Sequence, residues 1–340
     1  MMPNDSRPYW LIATSCDDRY LWPWACSVYS AVVHANRPLR LQMINVNGLL
    51  SPRGQRIAKE LLLLLHVDGM VTDMSLALET DFRYQWNATV YARLGLLDVM
   101  DERFMWLDSD TILRSGWNEI FAEAERLMQD SSVIACAVLD CPTTLDELRE
   151  SGNNSAFQAS QGSYINAGIF MADPIRWRHF GNDVLWKELV TRQSDLGFIY
   201  GDQDILNYLL AGKVGILPPR FNHIVSEASK GTEVILHYAG APKPWRLSER
   251  GKAFFVATEA INFDRPNDQI SVGEAWRLFP TYWSAERALL ALLQESGHID
   301  LMNELLALRE SQMSETLFLE RVKFAGMRLL AKKLLPHGKG

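Results

Sequence analysis

Short apolar runs alternate with segments of helical period along the first two thirds of the chain. YWLIATS (residues 9–15) is brief, aromatic and β-branched, which predicts a buried first strand. Pro23 opens a stretch with apolar residues at helical spacing through about residue 36. LRLQMINV (39–46) reads as a strand, and Ser51-Pro52 as the cap and first-turn proline of a helix reaching about residue 66. WNATVYARLGLLDVM (86–100) predicts another helix, and RFMWLD (103–108), SVIACAVL (132–139) and YINAGIFMA (164–172) predict strands. A helix opens at Asp173-Pro174, a short one covers residues 202–211, and EVILHY (233–238) is a further strand. Strands alternate with helices from residue 9 to about 215, which predicts an α/β fold with a mainly parallel sheet covered on both faces. No internal repeat or low-complexity segment appears, and beyond about residue 260 the pattern reads as helices.

Composition narrows the classes. A chain of 340 residues allows one large α/β domain or two small ones. A net charge of −7 argues against a nucleic-acid partner, which normally demands a basic excess. Cys16, Cys26, Cys136 and Cys141 form no CxxC pair or zinc-ligand spacing, so buried free thiols in a reducing compartment are expected. Apolar stretches such as 61–65 are too short to span a bilayer. Asp5 and Pro8 stand where a secretion signal would need a basic segment and then an apolar run. The expectation is a cytoplasmic protein. The 11 tryptophans suit a core, and also the flat aromatic faces that meet sugar rings.

Candidate chemistry sits at the ends of these strands. RFMWLDSDTIL places Asp108 and Asp110 two positions apart, with Ser109 between, where an apolar strand stops. The plain reading is a turn, where Asp and Ser bond nearby backbone. The functional reading is a divalent cation that also holds a phosphate, at the strand end where open α/β folds place ligands. The sequence has no GxGxxG after the first strand and no GxxxxGK[ST], so a nucleotide phosphate would need another counter-charge. LHYAGAPKPW (236–245) is a loop by its plain reading. It also offers an imidazole (His237), a glycine for close backbone approach (Gly240), a phosphate-seeking cation (Lys243) and a flat ring (Trp245). An oxygen-plus-imidazole set favours Mn²⁺ over Mg²⁺. Asn166 interrupts an apolar strand, where an unpaired amide costs about 1–3 kcal/mol, so it must bond loop backbone or a ligand. Asp202 reads as a helix cap, with Gln203 and Asp204 in the first turn, or as part of a polar trio suited to sugar hydroxyls.

Together, DDRY (17–20), VYARL (90–94), LDSD (107–110), INAGIF (165–170), GDQDILN (201–207) and HYAGAPKPW (237–245) resemble glycosyltransferase family 8 in order and approximate spacing. That family includes glycogenins and bacterial lipopolysaccharide glucosyl- and galactosyltransferases. The resemblance implies a GT-A fold: a single Rossmann-like nucleotide-binding domain with a mixed, mainly parallel sheet. It implies a metal-dependent, retaining transfer of glucose or galactose from a UDP-hexose to a glycan or lipid-linked saccharide. By the same resemblance Asp108, Asp110 and His237 are metal ligands for Mn²⁺, with Mg²⁺ as the alternative. Asp17 and Tyr20, with backbone from Ala13, Thr14 and Ser15, are uracil and ribose contacts. Arg93 and Ser109 lie near the donor, and Asp140 binds donor hydroxyls. Asn166, Ala167 and Gly168 face the donor sugar, Asp202 and Gln203 lie nearest the anomeric carbon, and Gly240 and Lys243 clamp the diphosphate. Gln203 then stabilises an oxocarbenium-like state during front-face attack, because an amide is a poor nucleophile. Double displacement through Asp202 or Asp204 is the alternative. Two rival readings are a non-catalytic sugar-nucleotide-binding relative and an inverting transferase with Asp202 or Asp204 as base. The chain departs from the family in the Thr-Ser-Cys of 14–16. Residues 141–163 match no family pattern; they are expected to supply polar loops, part of which covers the site.

Residues 1–260 are expected to form the catalytic domain and 261–340 a helical extension. Its end carries Arg321, Lys323, Arg328, Lys332, Lys333 and Lys339 without an acid, interleaved with Phe318, Val322, Ala325 and Leu329 at helical spacing. This pattern suits either a helix packed on the domain or peripheral contact with an anionic membrane at its inner face.

Overall fold

The computed structural model describes residues 8–76, 88–225, 230–240, 243–247 and 272–312. The expected boundary near residue 260 and the basic tail from 321 lie outside the described residues.

The strands are β1 (Trp10–Ser15), β2 (Leu39–Val46), β3 (Asp68–Met74), β4 (Phe104–Leu107), β5 (Thr111–Leu113), β6 (Ala135–Leu139), β7 (Ile165–Ala172), β8 (Val214–Ile216), β9 (His223–Ile224) and β10 (Ile235–His237). Seven form one sheet in the order β3-β2-β1-β4-β7-β6-β8, and β5-β10-β9 form a second. Pairing is parallel from β3 through β4, but β7 runs antiparallel to both β4 and β6. The sheet is therefore mixed. Apolar periodicity reports which face a residue occupies and carries no strand direction.

The helices are α1 (Leu21–Val33), α2 (Pro52–Leu64), α3 (Ala92–Val99), α4 (Glu119–Leu127), α5 (Pro142–Ser151), α6 (Ser155–Ser160), α7 (Pro174–His179), α8 (Asn182–Thr191), α9 (Asp202–Leu209), α10 (Val272–Glu295) and α11 (Ile299–Glu310). Two starts follow directly from local chemistry. Ser51 accepts the Gly54 amide at 3.1 Å with Pro52 in the first turn, and Asp173 accepts the Arg176 amide at 3.0 Å with Pro174 behind it. Residues 141–163 are two helices, α5 and α6, rather than the expected polar loops. Pro142 in the first turn of α5 and Asn154 capping α6 were the signals.

Strand alternation sorts the core into two layers. Trp10 and Ile12 of β1 join α1, α2, α4, α10 and α11 on one face. Leu11 and Ala13 join α3 and α7 to α9 on the other. Every residue of β1 is thus buried, which is why the strand reads as a continuous apolar run. The edge strand β3 escaped the sequence reading because its exposed face breaks that run.

β7 carries a bulge. Ala137 pairs with Phe170, but Leu139 pairs with Ile165, so the register shifts across residues 166–169. Ile165 and Ala167 lie in one core layer, Ile169 and Met171 in the other. The switch turns Asn166 and Gly168 toward the carboxyl end of β4. Bulges re-aim side chains in this way beside functional sites.

The C-terminal helices pack on α1 and α2. Arg309 Nε of α11 meets Glu286 Oε1 of α10 at 2.9 Å, and Trp22 Nε1 of α1 donates to the same oxygen at 3.2 Å. Trp283 Nε1 donates to the Pro244 carbonyl at 3.2 Å, and the Tyr238 hydroxyl to the Leu278 carbonyl at 2.8 Å. These bonds tie α10 to the segment that holds Lys243.

Candidate active site

Asp108 follows the last residue of β4, and its amide donates to the Gly168 carbonyl at 2.9 Å. Thr111 closes the turn by donating to the Asp108 carbonyl at 2.9 Å. Antiparallel pairing of β5 with β10 sets His237 opposite Thr111, and the Tyr238 amide donates to the Asp110 carbonyl at 2.9 Å. Backbone register alone therefore brings Asp108, Asp110 and His237 together, with one ligand atom of each inside 4.8 Å of the others. His237 Nε2 lies 3.4 Å from Asp110 Oδ1 and 3.9 Å from Asp108 Oδ2. The backbone of β7 forms the floor. A Cβ on Gly168 would sit 2.2 Å from His237 Cε1 and 3.0 Å from Asp108 Oδ2, so this position demands glycine. Two carboxylates and an imidazole around so close a backbone fit a divalent cation.

Cations of the chain flank the cluster. Arg93, buried in α3, donates through Nη2 to Asp108 Oδ1 at 2.8 Å and through Nη1 to the Ala167 carbonyl. Its Nε lies 3.0 Å from Asp202 Oδ2, close enough for an ion pair but not aligned as a hydrogen bond. Trp106 Nε1, two residues before Asp108 on the strand, donates to the same Oδ1 at 2.8 Å. Lys243 Nζ donates to Asp110 Oδ2 at 2.6 Å. Burial alone would raise the Asp110 pKa, but Lys243 and His237 outweigh it and hold the carboxyl below its ordinary value. Asp202 has the opposite balance. Burial pushes it up to about 7 despite Arg93, with Asp108 adding to the rise.

A second polar group adjoins the first. Asp140 Oδ2 accepts Gln203 Nε2 at 2.7 Å and Asn166 Nδ2 at 3.4 Å, while Oδ1 accepts the Cys141 amide at 2.7 Å. Burial raises the Asp140 pKa against these donors. Gln203 Oε1 accepts the Ala167 amide at 3.0 Å, so both ends of the Gln203 amide are engaged. Asp204 is fully buried and accepts from the Tyr164 hydroxyl, Asn154 Nδ2 and the amides of Ile199 and Tyr200. It fastens the loop before α9 and has no oxygen left for chemistry. Gly201, with φ +53°, is the cap of α9, and Asp202 is its first helical residue rather than the cap.

The remaining expected residues lie along the same edge. Asp17 accepts Arg19 and the Tyr20 amide at 2.8–3.0 Å where α1 begins. The Tyr20 ring meets Trp245 edge-on at 5.9 Å, and Lys243 Nζ lies 6.0 Å from the Tyr20 centroid. Ala13, Thr14 and Ser15 end β1, where Ser15 donates to the Ile44 carbonyl at 2.8 Å and Thr14 Oγ1 has no hydrogen-bond partner among the described residues. Ser109 is buried in the turn. Gly240 has φ +72°, and among the described residues no atom lies within 4 Å of where its Cβ would be. The positive φ suits glycine there, alongside the close approach to a ligand expected from sequence. The sequence reading missed Trp106 and Asn222. Trp106 was detectable by its two-residue spacing from Asp108, which puts both on one face of the strand. Asn222, like Asn166, is a lone amide beside apolar residues, in RFNHIV.

Residues 11–248 match the model of glycosyl transferase family 8. The chain belongs to that family. It is 26% identical over 178 residues to lipopolysaccharide 1,2-glucosyltransferase of Escherichia coli, a match covering 47% of this chain and 50% of that protein. The corresponding protein of strain K12 is 24% identical over 213 residues, covering 56% of this chain and 60% of its own length. The chain thus spans only about half of the curated relatives it matches. An active-site mutant of LgtC shares the fold with a TM-score of 0.56 at 20% identity, covering 76% of this chain and 98% of that one. The architecture of this family 8 transferase is accordingly the GT-A fold. Among its described residues no helix is long and apolar enough to cross a membrane.

Proposed function

We propose that this family 8 transferase moves glucose or galactose from a UDP-sugar to a saccharide acceptor with retention at the anomeric carbon. The observation that carries the reading is the meeting of the Asp108–Asp110–His237 cluster with Lys243 on one side and the Asp140–Gln203 pair on the other. A divalent cation on the cluster, Mn²⁺ in preference to Mg²⁺, would neutralise the donor diphosphate and the charge of departing UDP. Lys243 supplies a second positive charge where that charge develops, once it exchanges Asp110 for phosphate oxygen. Tyr20 and Asp17 border the same edge and take the nucleoside. Asp140 accepts hydrogen bonds from donor hydroxyls, and Gln203 holds it in place from α9.

Retention needs either a carboxylate beneath the anomeric carbon or attack from the leaving-group face. Both oxygens of Asp204 are committed to four donors, and Asp202 faces Arg93. This occupancy supports front-face attack: the bond from the anomeric carbon to phosphate breaks, the acceptor oxygen takes its place, and the acceptor proton passes to a phosphate oxygen. The likeness to a lipopolysaccharide 1,2-glucosyltransferase supports a lipid-linked saccharide as acceptor, and the acid-free basic residues of 321–339 would suit peripheral contact with the inner face of the cytoplasmic membrane. In this reading residues 1–260 are the catalytic unit, and 261–340 an extension whose helix α10 braces the Lys243 segment. The test is release of UDP from UDP-glucose and UDP-galactose with Mn²⁺ and with chelator. Metal-dependent release from one donor is expected. No release from any UDP-sugar, with or without added saccharide, would overturn the reading.

A further inference from the structure

We infer that Asn222 is a positioning residue that fixes the tautomer of His237 and thereby prepares its Nε2 for a metal ion. The inference rests on the metal reading of Asp108, Asp110 and His237.

The argument starts from a backbone donor whose chemistry cannot change. The Gly168 N–H, inside the β7 bulge, points at one end of the Asn166 side chain at 3.0 Å. That end must be Oδ1, because an NH₂ there would set donor against donor. The other end is then Nδ2, which faces the Asp140 carboxylate at 3.4 Å, an acceptor at every pH where it is ionised. Asn166 Oδ1 also meets one end of the Asn222 side chain at 2.9 Å, and an acceptor there requires Nδ2. The remaining Asn222 atom, Oδ1, lies 3.0 Å from His237 Nδ1. An amide oxygen can only accept, so His237 carries its proton on Nδ1. In the neutral ring, Nε2 then keeps its lone pair, directed at the gap between Asp108 and Asp110.

Fold and burial make this chain of polarity rigid. Asn222 is 3% exposed, Asn166 8% and His237 4%, so water cannot replace a missing partner without cost. Asn222 immediately precedes β9, whose parallel pairing with β10 lays it beside His237. Rotating the Asn166 amide by half a turn would place like groups together at three contacts, and rotating Asn222 would set its oxygen against Asn166 Oδ1. A ring with its proton on Nε2 would present a donor to the cation and could not bind it. Asn222 thus acts through His237 without touching the ion, and also connects the metal cluster to the Asp140 end of the site.

The test uses the full chain without donor or acceptor. First, ¹⁵N-histidine NMR distinguishes tautomers by the shifts of the two ring nitrogens, and a His237→Gln sample identifies the signal among the 7 histidines. The expected result, for the neutral ring, is protonated Nδ1 and bare Nε2. Second, Mn²⁺ affinity is measured by titration calorimetry and by the loss of the free-ion electron paramagnetic resonance signal. Asn222→Leu should weaken Mn²⁺ binding by about 10–100-fold. Asn222→Asp keeps an acceptor against Nδ1, so it should retain Mn²⁺ binding to within a few-fold while losing the donor to Asn166. A neutral His237 ring with its proton on Nε2 in the wild type, or Mn²⁺ binding by Asn222→Leu equal to that of the wild type, would overturn the inference. Failure of the wild type to bind Mn²⁺ would overturn the metal reading instead, and the NMR result would still decide the tautomer. Should Asn222→Leu not fold, the Asp variant and the wild-type tautomer decide alone.

Discussion

Asp202→Asn removes a charge that the fold holds at a cost, so it should stabilise the protein. Asp202 is 7% exposed, and burial raises its pKa from 3.8 to about 7, Arg93 opposing and Asp108 assisting. With a folded pKa above the unfolded one, the native state binds more protons across that interval. Stability therefore rises as pH falls from about 7 toward about 4, and the ionised group destabilises above that window. At about 1.4 kcal/mol per pH unit, the interval corresponds to about 4 kcal/mol at pH 8. Asparagine removes this cost, and the attraction of Arg93 to the ionised carboxyl is already contained in the raised pKa. The gain at pH 8 is therefore about 4 kcal/mol, or a rise in Tm of roughly 6 °C for a chain of 340 residues. Urea denaturation of the metal-free protein at pH 8, 7, 6 and 5 measures it. The advantage of the variant should shrink through the series to about 2 kcal/mol at pH 5 and vanish below about pH 4. The comparison with wild type at each pH cancels the titration of every other group. A variant less stable than wild type at pH 8, or a difference that does not change with pH, would refute the reasoning. Turnover should fall in the same variant, because Asp202 is one of the groups that hold Arg93 against Asp108.

Asp110→Ala should abolish Mn²⁺-stimulated turnover. Because Lys243 loses its carboxylate in a buried place and keeps only the Tyr238 carbonyl as a hydrogen-bond acceptor among the described residues, it should also cost about 3 kcal/mol in the metal-free protein, measured by denaturation at pH 7. Asp110 has a lowered folded pKa, so its contribution is present above about pH 4 and is lost as pH falls below that value; the variant should lack this acid-side loss. Gly168→Ala should displace His237 and weaken Mn²⁺ binding by at least tenfold in calorimetry, since the new Cβ would lie 2.2 Å from the ring; unchanged affinity would mean that β7 yields there. Removing residues 321–340, with their six cations and no acid, should reduce co-sedimentation with anionic liposomes in a salt-sensitive way and leave transfer to a small soluble acceptor unchanged.

The sequence by itself determined most elements of the large sheet and named the three residues, Asp108, Asp110 and His237, that the fold brings together. β1 and β2 were legible because burial on both faces makes a strand continuously apolar, and α2 because Ser51-Pro52 is a local capping signal. Asp108 and Asp110 were legible because carboxylates at a strand end are unusual enough to need a partner. His237 joined them through the resemblance of HYAGAPKPW to its family. Other features depended on contacts between segments distant in sequence. The reversal of β7 and its bulge come from pairing with β4 and β6, and alternation along one strand carries no information about its neighbours. The opposite fates of three neighbouring side chains were equally hidden. Asp202 is buried beside Arg93, which only partly offsets its desolvation, Gln203 is spanned between Ala167 and Asp140, and Asp204 is spent on Tyr164, Asn154 and backbone. In the sequence they are alike, three polar residues at a helix start. Only the tertiary structure decides which donors reach each one, because hydrogen bonds and burial act over a few ångströms of space regardless of separation along the chain.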